Sequence, residues 1–290
     1  MTMAPAVSAA AAWSPTLCGG GIAVISDGSL AAFDHRHRTS AAARLAIASA
    51  QIEQFAHAVV LTRVIRVGDP QQFIRRLREL PDTVKVIFLA GVSPGRAHLA
   101  QRALAACGGP VVLTEQDAIA VSMVAGVLTS LRRAGRPRAL GRVMIIGAQT
   151  APLLGPLLAV AGIGEIDSWN PVDALDFGLN RLASDADVII DLIGGPSYPA
   201  QMGRRHPVVI SPVGQLCTAL TMPGMLRAVL DSVDPVMDIQ VFHSCAKALA
   251  LRAPENAPLA ELPDAQLVEI ISAVTTRALH RKHRIASRTQ

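Results

Sequence analysis

The chain is poor in aromatic side chains, which limits both its core and its partners. Aromatic residues make up 3% of its 290 residues, whereas 51% are hydrophobic. The core must therefore be built from alanine, valine, leucine and isoleucine. Proteins that bind single-stranded nucleic acid stack bases on aromatic rings. The shortage of such rings argues against nucleic-acid binding, despite a net charge of +5.

The sequence also lacks long apolar runs and clustered cysteines. No apolar run reaches the roughly 18–20 residues of a membrane span. The N-terminal stretch "MTMAPAVSAAAAWSPTL" has no basic residue before its apolar block, which predicts no signal peptide. The four cysteines lie far apart, without C-x-x-C or metal-ligand spacing, as expected for reduced thiols. We therefore expect a cytoplasmic protein that does not bind a membrane.

Positive charge comes almost entirely from arginine, because lysine is scarce. The C-terminal stretch "RALHRKHRIASRTQ", residues 277–290, carries part of the excess. Such a run is most often a solvated end. The alternative is an interaction module built on this tail, and deletion of residues 280–290 would then abolish binding.

Short β-branched runs alternate with helical patterns along most of the chain. This alternation predicts an α/β fold with right-handed parallel βαβ units. The predicted strands cover residues 21–26, 58–64, 84–90, 110–113, 142–147, 165–169, 186–195 and 206–212.

The helices between and after these strands carry end signals. Asp69 is a candidate N-cap, with Pro70 at the first helical position. A long helix over 116–134 presents one apolar face and ends at Gly135. Another is expected to begin directly after the strand that ends at Gly147. The last third is predicted helical over 223–231, 235–252 and 264–282.

A nucleotide-binding turn is expected after the strand "VMIIG", but its fingerprint is incomplete. Gly147 can form the tight turn, whereas Gln149 and Pro152 stand at the second and third glycine positions. Asn170 replaces the usual carboxylate at the end of the next strand and can still bond a ribose hydroxyl. The candidate cofactor-binding residues are Gly147, Ala148, Gln149, Thr150 and Asn170.

Six segments in order resemble the malic enzymes, the NAD(P)- and divalent-metal-dependent oxidative decarboxylases of malate. They are "IAVISDGS", "GDPQQFIRRLREL", "GGPVVLTEQDAIAVSMVAGVLTSLRRAGR", "ADVIIDLIGG", "HPVVISPVG" and "LTMPGMLRAVLD". The resemblance implies a malic-enzyme-like N-terminal α/β domain followed by a Rossmann-type parallel-sheet domain with C-terminal helices. The expected divisions are a segment 1–20, an N-terminal domain 21–114, a Rossmann-like domain 115–262, and a C-terminal helix with basic tail 263–290.

At the positions where the family holds its metal, this chain has lost two of three ligands. The paired Glu and Asp fall on Ala90 and Gly91, and the third ligand falls on Glu115. A hard divalent cation needs several oxygen ligands. The resemblance therefore implies a metal site reduced to Glu115, and we expect no bound divalent metal.

The family's acid and base positions are also changed. The base lysine falls on Arg44, which cannot release its proton at neutral pH. A family histidine falls on Asp117. The one tyrosine, Tyr198, lies far downstream in the expected Rossmann-like domain, where it cannot replace the family's catalytic tyrosine. The candidate catalytic residues are Arg44, Glu115 and Asp117, although the two carboxylates could serve only the dipole of the helix they open.

Two hypotheses follow for the function. The first is a catalytically degenerate malic-enzyme homologue that acts as a partner subunit or binds a nucleotide or small anionic metabolite. The second is an NAD(P)-linked oxidoreductase with a remodelled active site, in which Glu115, Asp117 or His35 must titrate. The basic loop "DHRHRTS" is either exposed or a site for an anionic ligand. Apolar helices and the family's habit imply a homo-oligomer, most simply a dimer.

Overall fold

The computed structural model describes residues 21–32, 40–56, 58–170, 185–194, 207–212, 214–254 and 264–286. Within these ranges the chain forms two parallel four-stranded sheets. The first contains β1 (Gly21–Ser26), β2 (Val60–Val64), β3 (Val84–Leu89) and β4 (Val111–Thr114), in the order β2-β1-β3-β4. The second contains β5 (Arg142–Ile146), β6 (Glu165–Trp169), β7 (Val188–Asp191) and β8 (Val208–Ile210), in the order β6-β5-β7-β8. The predicted α/β fold with parallel sheets is confirmed.

The described helices fall between the strands and after them. They are α1 (Ala41–Ala56), α2 (Pro70–Arg78), α3 (Pro94–Ala105), α4 (Glu115–Arg133), α5 (Leu154–Val160), α6 (Gly214–Leu230), α7 (Ile239–Leu251) and α8 (Ala265–Ala286). Asp69 caps α2 as predicted, accepting hydrogen bonds from the amides of Gln71 and Gln72. Gly135 ends α4 in a left-handed conformation, with φ 61°.

The main hydrophobic core joins the two sheets through the helices. Buried residues of β1 and β3 belong to the same cluster as buried residues of β5 and β7. Helices α1, α4, α6, α7 and α8 pack together in this cluster. A second core lies between the first sheet and α2 and α3, with Phe73, Leu77 and Leu104 as large members. The expected domain boundary between residues 114 and 115 coincides with the β4–α4 junction and stays a prediction.

Helix α4 is more buried than its sequence pattern indicates. One apolar face was expected, yet among its 19 residues Ile119, Arg132 and Arg133 alone are not buried. Small side chains such as Ala120, Ala125 and Gly126 allow neighbours to approach on every side. A helix buried all round is a core element rather than an amphipathic surface helix.

Two predicted helix limits are wrong for reasons connected with proline. No helix follows β5 at once: a 3-10 turn over Ala148–Thr150 intervenes before α5. Ala151, with φ −139°, precedes Pro152, and a residue before proline is pushed out of the helical region. Helix α6, predicted from residue 223, already begins at Gly214 and continues through Pro223.

Candidate functional site

Arg44 and Glu115, far apart in sequence, meet at the carboxyl ends of β3 and β4. Glu115 opens α4, and Gly91 follows β3 in a left-handed conformation, with φ 69°. The Gly91 amide donates to Glu115 Oε2 at 3.0 Å. Arg44 Nη1, on α1, lies 3.7 Å from Glu115 Oε1. Both side chains are mostly buried, at 14% and 10% exposure, so the pair is an internal ion pair.

These residues do not fit a divalent metal. Ala90 offers no oxygen ligand and Gly91 has no side chain, while Glu115 is already engaged by an amide and a guanidinium. Nowhere in the described ranges do three or more His, Cys, Asp or Glu side chains form a group that could hold a metal ion. A carboxyl-bearing side chain at position 91 would be strained, because its Cβ would lie 3.2 Å from Ser26 Oγ and 3.3 Å from Arg44 Cδ.

The space left beside the ion pair is very small. A cavity of about 20 Å³ lies between α1, β3, α4 and α6, with Arg44, Gln51, Glu115 and Thr218 as its polar lining. A void of this size holds about one water molecule. Gln51 Oε1 is buried there and accepts no hydrogen bond from the described residues. The sequence interpretation missed Gln51, although it follows Arg44 at a spacing of seven, which places both on one face of α1.

Asp117 points away from the ion pair. Its Oδ2 accepts hydrogen bonds from the Thr114 amide at 2.9 Å and from Gln101 Nε2 at 2.8 Å, while its own amide donates to Thr114 Oγ1. Thr114 and Asp117 therefore form a capping box. Burial raises the pKa of the Asp117 carboxyl to about 6, and the hydrogen bonds from Thr114 and Gln101 oppose this rise. The three candidate catalytic residues are thus not all brought together: Arg44 and Glu115 form an ion pair, whereas Asp117 bonds Thr114 and Gln101.

A large groove lies on the Asp117 side. Its volume is about 1440 Å³, and it runs along β4 between α3 and the connection from α6 to α7. Gln101 Nε2 also donates to the Val112 carbonyl, so the side chains of Gln101 and Asp117 occupy two polar groups of β4 where it borders the groove. This protects the exposed side of an end strand.

A polar network that the sequence interpretation missed fixes the loop after β1. Arg96 Nη1 donates to Asp27 Oδ2 at 2.7 Å and to the Val67 carbonyl at 2.8 Å. Asp27 Oδ1 accepts from the amide and hydroxyl of Ser29. The network ties the ends of β1 and β2 to the start of α3, with Arg96 also 5.9 Å from the centre of the Phe73 ring. Charged residues distant in sequence gave no local signal for it.

In the candidate nucleotide turn, three backbone amides donate hydrogen bonds to carbonyls of the protein itself. The Gly147 amide donates to the Trp169 carbonyl, Thr150 to Gly147, and Ala151 to Ala148. Gly147 has φ 77°, and a Cβ there would lie 2.4 Å from Ile193 Cγ2, so packing alone requires glycine. A pyrophosphate is bound by free amides at a helix start. The Gly147, Thr150 and Ala151 amides are therefore not free for a pyrophosphate, and dinucleotide binding at this turn stays a prediction.

Of the remaining predicted site residues, Gln149 is exposed and Asn170 follows β6 half-buried. Two titratable residues of α7, which were not predicted as site residues, also have shifted pKa values. Cys245 is fully buried against Thr275 Oγ1 at 3.1 Å, and burial raises the pKa of its thiol to about 12. Burial, followed by Lys247 and Arg138, lowers the pKa of His243. The loop containing His35 lies outside the described residues, as do Trp13 and Tyr198.

Among the described residues, helices long and apolar enough to cross a membrane are absent. No family model matches the sequence, and no curated protein matches it either.

Solved structures do share its fold. The chain is similar to a malic enzyme from Pyrococcus horikoshii Ot3 (TM-score 0.70, 17% identity, 91% of this chain and 77% of that chain). It is also similar to a malic enzyme from Entamoeba histolytica (TM-score 0.77, 16%, 91% and 70%). An NAD-dependent malic enzyme from Thermotoga maritima aligns as well (TM-score 0.70, 15%, 89% and 84%). The chain therefore has a malic-enzyme-like fold, although its sequence identity to these structures is only 15–17%.

Proposed function

We propose that this protein does not decarboxylate malate and acts instead as a partner subunit built on a malic-enzyme-like scaffold. The observation that carries the proposal is the internal ion pair. The guanidinium of Arg44 lies 3.7 Å from Glu115 Oε1, in the cleft where the resemblance places metal and substrate.

Charge and space both argue against malate turnover. Arginine keeps its proton at working pH, so Arg44 cannot act as the base. Glu115 has its carboxylate satisfied by Arg44 and the Gly91 amide. The adjoining cavity of about 20 Å³ is too small for a four-carbon dicarboxylate. The positions of the family's base and of two of its metal ligands are all changed. Because such residues act together in catalysis, replacing any one of their functions would not restore turnover.

The test combines turnover with binding. Purified protein is incubated with malate, Mn²⁺ and either NAD⁺ or NADP⁺, and reduced cofactor is followed by absorbance. We expect no reduction above a protein-free control. In parallel, thermal unfolding is scanned with each compound, because a ligand at 100 times its Kd stabilises the fold by about 2.7 kcal/mol. Malate-dependent reduction of either cofactor would overturn the proposal.

A second candidate is an NAD(P)-linked oxidoreductase whose active site has moved. The observation in its favour is Asp117, which borders the large groove and has a pKa raised by burial to about 6, within the range of a general acid or base. Its hydrogen bonds to Thr114 and Gln101 also suit a purely structural carboxyl. A stabilising shift with NAD⁺ or NADP⁺ alone would favour this candidate.

Assembly and compartment belong to the same proposal. We infer a homodimer in the cytoplasm, where Cys107, Cys217 and Cys245, all free thiols, stay reduced. Light scattering coupled to size exclusion measures the mass directly: about twice the 30.4 kDa of one chain supports the dimer.

A further inference from the structure

One corner of the protein combines unneutralised positive charge with exposed leucine. Three elements meet there: the end of α4, the 3-10 turn over Arg138–Leu140, and helix α7. We name it the basic-leucine surface and define it by Arg132, Arg138, Leu140, Lys247 and Leu251.

Main-chain hydrogen bonds hold the arginines of this surface without neutralising them. Arg132 Nη2 donates to the Ala250 carbonyl at 3.1 Å, and Arg138 Nη1 donates to the Ala161 carbonyl at 3.3 Å. Neither arginine is within ion-pair distance of a carboxylate of the described residues, and the same holds for Lys247. Arg132 also places its charge at the carboxyl end of α7, where a cation is favourable. Its position is therefore fixed structurally.

Two cations of this surface, Lys247 and Arg138, lie close enough to His243 to affect its pKa. After burial, the nearby charges of Lys247 and Arg138 are the causes that lower the pKa of His243. Lys247 is on α7, whereas Arg138 precedes β5. Both cations therefore lie near His243, although they belong to different elements of the fold.

Exposed apolar side chains belong to the same surface. Leu251, four residues after Lys247, is 74% exposed, and Leu140, two residues after Arg138, is 62% exposed. His243, Lys247 and Leu251 succeed one another at intervals of four residues along α7, a stripe about 12 Å long. Isolated exposed leucines are ordinary. Two exposed leucines near several cations could bind a partner in two ways. The leucines would be buried against its apolar side chains, and the cations would pair with its carboxylates.

We propose that the basic-leucine surface docks an acidic amphipathic helix of a partner protein, with carboxylates against Arg138 and Lys247 and apolar side chains against Leu140 and Leu251. Charge complementarity selects an acidic partner, and the leucines favour a protein helix over a nucleic acid, whose phosphates give them nothing to pack against. The inference rests on the proposed role as a partner subunit and names that partner's chemistry.

The probe is a fluorescein-labelled synthetic peptide of about four helical turns, with leucine on one face and glutamate on the other. Its comparator is a scrambled peptide of the same composition. Binding to the full chain is followed by fluorescence anisotropy. We expect the amphipathic peptide to bind more tightly than the scrambled one. Equal affinities would overturn the proposal, because charge alone would then explain binding.

Charge-reversal variants locate the site. Arg138→Glu with Lys247→Glu should raise the Kd about tenfold, since two exposed pairs are each worth up to about 1 kcal/mol. Lys85→Glu with Arg102→Glu makes the same change in net charge at exposed positions beside the large groove. A loss as large in that control, or no loss in the first variant, would overturn the proposal.

A milder variant guards against misfolding. Leu251→Ser alters a side chain that is already 74% exposed and should leave the melting temperature unchanged while weakening the peptide. Phosphatidylglycerol vesicles and single-stranded DNA are tested beside the peptide. Binding of either one, with no peptide binding, refutes the protein-helix assignment. Malate turnover together with surface-specific peptide binding would refute the proposed function and leave this surface standing.

Discussion

The strand-to-helix junctions of the two sheets are stabilised differently. Side chains stabilise the β4–α4 junction, whereas main-chain hydrogen bonds stabilise the β5–α5 junction. At the β4–α4 junction, Thr114 and Asp117 form a capping box of two reciprocal hydrogen bonds. The Glu115 carboxylate accepts a hydrogen bond from the Gly91 amide. At the β5–α5 junction no side chain caps the helix; the turn bonds its own carbonyls, and Gly147 is left-handed. One junction opens a helix of 19 residues, and the other a helix of seven.

The difference indicates which kind of substitution should destabilise each junction. The first depends on polar side chains that are buried together, so its energy should respond to charge and pH. The second depends on the absence of a side chain at one position, so it should respond to steric bulk. Four comparisons of variants test these two dependences.

The largest effect is expected from Gly147→Ala. Its Cβ would lie 2.4 Å from Ile193 Cγ2, at φ 77°, so we expect a loss of about 3 kcal/mol in unfolding free energy. Denaturant unfolding measures it. Gly155→Ala in α5, where no heavy atom lies within 4 Å of the added Cβ, is the control and should be neutral or stabilising. Equal losses in the two variants would mean that the steric explanation is wrong.

The next effect concerns pH at Asp117. Burial raises its folded pKa to about 6 from 3.8, so its stabilising contribution is complete below pH 3.8 and is lost as the pH rises through about 6. Compared with the wild type, Asp117→Asn should therefore gain stability from pH 4 to pH 7, by at most about 3 kcal/mol. Urea unfolding of both proteins across this range measures the difference. A constant difference would show that the carboxyl titrates normally.

Breaking the ion pair should cost less. Glu115→Ala leaves Arg44 buried beside the Gly91 amide, and we expect a loss of about 2 kcal/mol. Glu79→Ala removes the exposed partner of Arg76 and should change stability by under about 1 kcal/mol. Glu115→Ala with Arg44→Met completes a double-mutant cycle. Additive losses would indicate that the two side chains do not interact.

The smallest effect is expected from removing single hydroxyls. Thr114→Ala deletes the cap of α4 and should cost about 1 kcal/mol. Thr150→Ala deletes a hydrogen bond to the Gly147 carbonyl within the uncapped turn and should cost about 0.5 kcal/mol. Thermal unfolding compares them. A larger loss at Thr150 would reverse the distinction between the junctions.

The fold was largely readable from the sequence because its signals are local. β-branched runs predicted every described strand, within a few residues at the ends, and Asp69 and Gly135 marked helix limits as expected. The all-round burial of α4 was not readable, since small residues on its outer face look like solvent-facing positions until neighbours are known. The starts of α5 and α6 were predicted wrongly because proline can stand at the start of a helix or interrupt one, and the sequence alone does not tell which.

The candidate site was readable residue by residue but not as an arrangement. The resemblance placed Arg44 and Glu115 at separate functional positions, and nothing in their sequence separation of 71 positions predicted that one would neutralise the other. Asp117 was paired with Glu115 by proximity in sequence, yet two residues that are two positions apart on a helix project in nearly opposite directions. Gln51 and Arg96 depended on long-range contacts and gave no local pattern.

Gly91 makes the introduction of a metal-binding cleft dependent on the order of substitutions. An aspartate introduced there first would meet Ser26 Oγ at 3.2 Å and Arg44 Cδ at 3.3 Å, in a backbone conformation that disfavours it. Replacing Arg44 first would instead leave Glu115 without its cation. Each single step is thus expected to lower stability before a second step can help. The effects of substituting Arg44 and Gly91 are therefore expected to depend on each other. No single substitution at either position is expected to move the protein towards a metal site without a loss of stability.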